Sequence, residues 1–335
     1  ESAEITGCKS IFLVQKSGKT HVWEPFSLRY ASLFNTSRNL YKNIYGNKVL
    51  FEEINHDLDL TFQYEWNSSN LYGFIKKSKL TNNSQEEVSI KVLDGIQNLI
   101  PYGVGSALQS ERSNLVDAYK RSELERSSGI GIFALSAIIV DKAEPSEALK
   151  ANIAWSHGLK QPKYLLSSEQ LEGFRNGIAL VQEEDVKAKK GAYFISSDLV
   201  LPASGEKKWM IVANVNQSVA SITRLASEIQ NNASLAQSVE KDITLGTKRL
   251  IQLNAGSDAL QLSKDKQRDT RHFANSLFNI MRGGIFDNNY QLEKADFTAY
   301  ILKANKEVAK SCANIIASLP DELSLSALLE VASNS

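Results

Sequence analysis

Leu58-Asp59-Leu60-Thr61-Phe62-Gln63-Tyr64-Glu65-Trp66 carries apolar residues at every second position and polar residues between them. Successive side chains of a strand point to opposite faces, so this period of two predicts a strand with one face on a core and one toward water. Working outward, Leu71–Leu80 reads as the next strand and Asn82-Asn83-Ser84-Gln85 as a turn. Val88, Ile90 and Val92 then alternate again, and a hairpin across the turn is the economical expectation. Ile132–Val140, Leu149–Ser156, Tyr193–Leu201 and Trp209–Val215 supply further strands. Many strands with turn-rich joints predict a sandwich or barrel rather than a wound parallel sheet. Helical spacing interrupts them at Gln109–Arg126 and at Ser168–Arg175, the second ended by Asn176-Gly177.

The pattern changes near Asn216. From Gln217 to Leu253 apolar residues recur at steps of three and four, without proline or aromatic residues, as in a long helical connector. Asp258–Met281 reads as a second helix stopped by Gly283-Gly284, and Lys294–Leu319 as a third stopped by Pro320. Leu323–Ala332 is helix-like as well. The expected division is residues 1–215, mainly strand, and residues 216–335, helical.

With 335 residues, 42% hydrophobic and 23% charged, the chain has the composition of a folded protein with two domains. Thirty-eight basic residues balance 38 acidic ones, so there is no basic footprint for nucleic acid and no electrostatic pull toward anionic lipid. No stretch reaches the roughly 20 apolar residues of a spanning helix. Cys8 and Cys312 make no disulfide framework and no zinc spacing, and no cofactor motif is present, so neither metal nor cofactor is expected. Ile5-Thr6-Gly7-Cys8 is similar to a lipoprotein cleavage site but lacks the apolar segment that should precede one, and coincidence is the better reading. The first residue is Glu1 and the last residues follow a helix-like run, as expected of a processed or excised chain. The compartment is therefore left unassigned: the cytoplasm is slightly favoured, and a periplasmic or secreted protein stays open.

Candidate chemistry is sparse. Of the four histidines, only His157, two residues after Trp155 at a strand end, is placed to line a cleft. Trp155 and Tyr102 are the candidate rings for stacking on a sugar. Trp23, Trp66 and Trp209 lie in strand contexts and are expected in the core or partly in it. The doublets Glu52-Glu53, Glu86-Glu87 and Glu183-Glu184 would point to opposite faces of a strand, so they are expected to be solvated rather than a catalytic pair.

Two stretches carry a resemblance. Tyr72-Gly73-Phe74-Ile75 through Leu80-Thr81-Asn82-Asn83-Ser84, with Val88–Val92 and Leu93–Pro101 after it, resembles the N-terminal β-super-sandwich of cellobiose-phosphorylase-like carbohydrate enzymes. Ser276-Leu277-Phe278-Asn279, then Gly283-Gly284-Ile285-Phe286 and Gln291-Leu292, resembles the start of that family's barrel of helical hairpins. The resemblance implies a mainly β fold with α elements: a galactose-mutarotase-like β-super-sandwich, a helical connector and the first helices of a truncated barrel. It implies as partner the barrel domain of the same protein, with an oligosaccharide ligand and a homodimer as further expectations. Leu277, Phe278, Ile280, Met281, Ile285 and Phe286 would then be apolar surface for that barrel. Where the family holds sugar with arginine and aspartate, this chain has Asn289 and Lys294. Neither reproduces a fork of donors or a carboxylate acceptor, which puts standard phosphorolysis in doubt.

The favoured reading is the non-catalytic N-terminal portion of a larger carbohydrate-active protein. A free-standing carbohydrate-binding or interaction module and a mutarotase-like enzyme using His157 are the alternatives.

Overall fold

The computed structural model describes residues 2–30, 32–111, 113–137, 148–257, 260–283 and 290–334. A four-residue helix, α1 (Ser2–Ile5), leads into the hairpin β1 (Gly7–Lys16) and β2 (Lys19–Trp23). The strands β3 (Thr36–Lys42), β4 (Val49–Asn55), β5 (Leu60–Ser69) and β6 (Gly73–Asn82) follow as a meander, then β7 (Val88–Leu99). Helices α2 (Ser106–Glu111) and α3 (Ser113–Tyr119) precede β8 (Lys120–Glu125), β9 (Ile130–Leu135) and β10 (Lys150–His157). After β11 (Lys163–Leu165), α4 (Leu171–Arg175) and β12 (Asp185–Lys187) come the long strands β13 (Gly191–Leu201) and β14 (Glu206–Ser218). The rest holds α5 (Val219–Asn231), α6 (Leu235–Gly256), α7 (Lys266–Met281), β15 (Gln291–Glu293) and α8 (Lys294–Ala304). It closes with α9 (Lys306–Ser311), α10 (Ala313–Ser318), β16 (Glu322–Ser324) and α11 (Leu325–Ser333).

The chain is thus mainly β with helices. One sheet has the order β11-β13-β7-β1-β2 and the other β12-β8-β9-β10-β14-β6-β5-β4-β3, with antiparallel pairing throughout. Their inner faces share one core: Phe12 and Ile195 from the smaller sheet pack with Phe62, Leu80 and Trp209 from the larger. That is sheet-on-sheet packing, with alternate residues of each strand turned inward. Trp23 and Trp209 are buried and Trp66 half-buried, as expected.

The expected hairpin across Asn82–Gln85 does not form. Asn82 ends β6 in the larger sheet and Val88 begins β7 in the smaller, so the turn is a corner between sheets. Buried Asn82 builds it: its amide donates to the carbonyls of Glu86 (2.7 Å) and Pro202 (2.9 Å), and its oxygen accepts from Ser84 N (3.0 Å). The hairpin lies one strand earlier, between β5 and β6, and turns at Gly73 with φ +93°. A Cβ there would sit 2.4 Å from the Ala213 carbonyl oxygen, so the position demands glycine.

Other expectations are corrected in detail. The helix expected over 109–126 stops at Tyr119, and Lys120–Glu125 is a strand with Lys120, Ser122 and Leu124 inward. The connector helix begins only at Val219 and is interrupted where Asn232 accepts hydrogen bonds from Ser234 N and Oγ. Side chains that bond nearby backbone in this way compete with helix continuation. The expected helix over 294–319 is three: Asn305 ends α8 and caps α9 by accepting from Glu307 N and Val308 N. Gly283, at φ +73°, donates to the Ile280 carbonyl and ends α7 as expected, while Gly284–Asn289 lie outside the described residues.

Two compact units emerge. The first is Glu1–Lys42 with Lys48–Ile243; the second is Asn43–Asn47 with Thr244–Ser335. The first contains α5 and the start of α6, whose Ile222, Leu235, Val239 and Ile243 cover Ile75, Trp155 and Val212 on the outer face of the larger sheet. In the second, β15 pairs with β16, which brings residues 291–293 beside 322–324 and closes α8–α10 into a loop with adjacent ends.

Candidate functional site

The outer face of the larger sheet is only partly covered, and register explains what remains open. Trp155 pairs with Val212, and this apolar row lies beneath α5 and α6. Two residues along, Tyr41, Leu50, Glu65, Lys77, Met210 and His157 stand opposite one another across six strands. Two further along comes Asn39, Glu52, Gln63, Lys79 and Lys208. Both rows face outward because side chains two apart share a face. Between these rows and α6, whose Ala236 and Glu240 form the wall, lies a cleft of about 390 Å³ with Leu50 and Met210 among its lining.

Its charges are nearly self-neutralising. The Lys77 ammonium is 2.6 Å from Glu240 and 3.8 Å from Glu65. Lys208 and Lys79 lie 2.5 and 3.9 Å from Glu206. Glu52 accepts from Asn39 Nδ2 (2.9 Å), Tyr41 Oη (3.2 Å) and Gln63 Nε2. Partial burial pushes the Glu52 carboxyl up, and the hydrogen bonds from Asn39, Gln63 and Tyr41 outweigh that and hold it below the ordinary range. Glu65 and Glu240 share the one Lys77 ammonium. The cleft is equipped to exchange hydrogen bonds with hydroxyl groups.

Of the three candidate residues in the first unit, one lines the cleft. His157 is exposed and lines the cleft. Trp155, on the same face, is fully buried under Ile222, Leu235 and Val239 and offers no ring face to a sugar. Tyr102 is 40% exposed, with the Lys150 ammonium 5.4 Å from its ring centre. Asn289 lies outside the described residues. Lys294, in the second unit, opens α8 and donates to the carbonyls of Ala317 (2.7 Å) and Leu319 (2.8 Å) at the end of α10, so its ammonium works as a clamp within the 291–324 loop.

The carboxylate doublets are not all solvated. Glu53 is buried, accepting from Trp23 Nε1 (2.8 Å), Phe26 N (2.7 Å) and Arg38 Nε (2.7 Å). Glu183 accepts from Leu166 N (2.7 Å), Ser167 N (2.8 Å) and Gln170 Nε2 (2.9 Å). Among the described residues no group of three or more histidine, cysteine or carboxylate side chains is arranged to hold a metal ion. Gln63, Glu65, Lys77 and Lys79 are not among the residues expected from the sequence, although the alternation that defines β5 sets Gln63 and Glu65 on the face away from the core.

A family model described as the glycoside hydrolase family 149 insertion domain 1 matches residues 286–335. No curated protein matches the chain. Among solved structures, a bacterial glucoamylase in complex with acarbose is similar over 76% of this chain and 33% of its own, at 11% identity and a TM-score of 0.43. A putative kojibiose phosphorylase from the human microbiome is similar over 79% and 31%, at 10% identity and 0.38. A family GH92 α-mannosidase from Bacteroides thetaiotaomicron is similar over 73% and 28%, at 9% identity and 0.32. The chain spans about a third of the length of these structures. The matched description is that of an insertion domain, and the matched segment contains the β15–β16 pair. The family-model resemblance is to a glycoside hydrolase insertion domain and is carried by residues 286–335.

Proposed function

We propose that this chain is the non-catalytic N-terminal portion of a larger glycoside hydrolase- or phosphorylase-like enzyme. In this reading a galactose-mutarotase-like β-super-sandwich over about residues 1–215 and a helical connector pack against, and help shape, a catalytic helical barrel of the same polypeptide. The observation that carries it is the state of α8 and α11, which bury no residue although they hold Tyr300, Leu302, Leu325, Leu328 and Leu329. Helices of 11 and 9 residues gain most of their stability from packing an apolar face, so these faces call for cover. Phe278 and Met281 of α7, 55% and 77% exposed, extend the apolar surface of the same unit. The match of residues 286–335 to an insertion domain supports a place inside a longer chain.

The test is turnover. The chain alone is expected neither to hydrolyse nor to phosphorolyse cellobiose or other β-glucosides. Turnover that survives purification and is lost on replacing one carboxylate would defeat the reading. A second reading, a free-standing carbohydrate-binding module, is favoured by the polar rows on the larger sheet.

A further inference from the structure

We propose that the two polar rows on the outer face of the larger sheet, with the cleft beside α6, bind a neutral oligosaccharide laid across strands β3, β4, β5, β6 and β14. The choice of a saccharide rests on the carbohydrate-active reading above; the surface lies within the first unit and does not depend on how α8 and α11 are covered.

Spacing comes first. The row Asn39, Glu52, Gln63, Lys79, Lys208 places one polar side chain on each of five adjacent strands. Four steps between neighbouring strands span about 19 Å. Each step is close to the length of one pyranose residue, so a chain lying along the row meets a new donor or acceptor at each sugar.

The chemistry of the row is that of hydroxyl recognition. Asn39 and Gln63 spend amide N–H on Glu52, and each also carries an amide oxygen able to accept from a hydroxyl. Glu52 itself is fixed by three donors and needs no reorganisation to accept a hydroxyl. Lys79 and Lys208 supply N–H at the other end, the latter largely exposed. Tyr41, 49% exposed, presents a ring beside Glu52, and Leu50 and Met210 give the cleft a short apolar floor for C–H faces.

Charge selects neutral over anionic ligands. The three lysines, Lys77, Lys79 and Lys208, are matched by Glu65, Glu206 and Glu240, and Glu52 adds one more negative charge. A phosphate or sulfate would meet carboxylates at every lysine, whereas a hydroxyl uses both kinds of group. Location also favours a ligand here: α5 and α6 cover the adjoining apolar row and, in the nearer of the two polar rows, bury Met210 and pair Glu240 with Lys77, while Tyr41 and His157 stay exposed.

The experiment is calorimetric titration of the full chain with glucose hexasaccharides of α-1,4, β-1,4 and β-1,3 linkage, and with dextran sulfate as the anionic probe. At least one neutral hexasaccharide is expected to bind. Gln63→Ala and Lys208→Ala are each expected to weaken it about tenfold, the loss of one well-made hydrogen bond to a charged or fixed partner. Unchanged melting temperatures for the Lys208 variant separate loss of contact from loss of fold. Absence of binding to all three hexasaccharides, binding unaffected by both substitutions, or binding of dextran sulfate alone would each overturn the site. The turnover test of the preceding section is independent of these outcomes.

Discussion

Lys76 of β6 and Asp94 of β7 form an ion pair that joins the two sheets, with both side chains fully buried. Asp94 also accepts from Ser10 Oγ (2.6 Å), Trp209 Nε1 (2.7 Å) and Ser78 Oγ (2.9 Å). The Lys76 ammonium lies 5.2 and 5.9 Å from the ring centres of Tyr64 and Phe62. A buried pair repays its desolvation only when the remaining lone pairs and protons are satisfied, and here the carboxylate is saturated by four donors.

Removing one partner leaves the other charged and unpaired in the core. Lys76→Met is expected to cost about 3 kcal/mol, and Asp94→Ala, which strands four donors, up to about 5 kcal/mol. The double variant Lys76→Met/Asp94→Leu is expected to cost less than the sum of the two. Urea unfolding midpoints measure all three; additive losses would show that the pair is not energetically coupled.

Acid should loosen the first unit through Glu24. Its buried carboxylate meets Arg175 at 2.9 Å and Lys9 at 2.9 Å. Burial raises its pKa, and the hydrogen bonds and charges of Arg175 and Lys9 more than reverse this, so the folded value lies below the unfolded one. The unfolded state therefore binds the proton more readily. The stability from this group is present above the ordinary carboxylate value and is lost as pH falls through the lower folded value, from about pH 5 downward. Glu24→Gln should be less stable at pH 7 and should lose less between pH 5 and pH 3. Parallel curves for the two proteins would remove Glu24 as the cause.

Lys294 should behave as a clamp. Lys294→Met removes two hydrogen bonds to the end of α10 and is expected to cost the second unit about 1–2 kcal/mol. Faster proteolysis between Lys294 and Leu319, with hexasaccharide binding unchanged, is the expected result. Lost binding with unchanged proteolysis would restore it as a sugar contact.

The alternating strands were legible because Leu60, Phe62 and Tyr64 need one buried face and the residues between them do not. Lys76 was not, since Lys76-Lys77-Ser78-Lys79 is polar on both faces and reads as solvent-facing at either register. The corner at Asn82 has the sequence of a hairpin because the same turn residues serve both, and only the partner strands decide between them. Lys120–Glu125 was read as helix because only Leu124 of its three inward residues is apolar. Of the candidate site, His157 was found from its place at a strand end. Trp155 is the misleading candidate because two residues on one face need not share exposure: α5 and α6 bury the first and leave the second exposed.

Hydrogen exchange of α8 and α11 tests most directly whether these helices are built to be covered by a further domain. In the chain alone their amides should exchange far faster than those of β6, β7 and β14, because neither helix buries a residue. In the longer protein that the proposal implies, α8, α11 and the Phe278–Met281 end of α7 should gain protection while the sheets stay unchanged. Equal protection of α8 and α11 with and without the following domain would contradict the proposal.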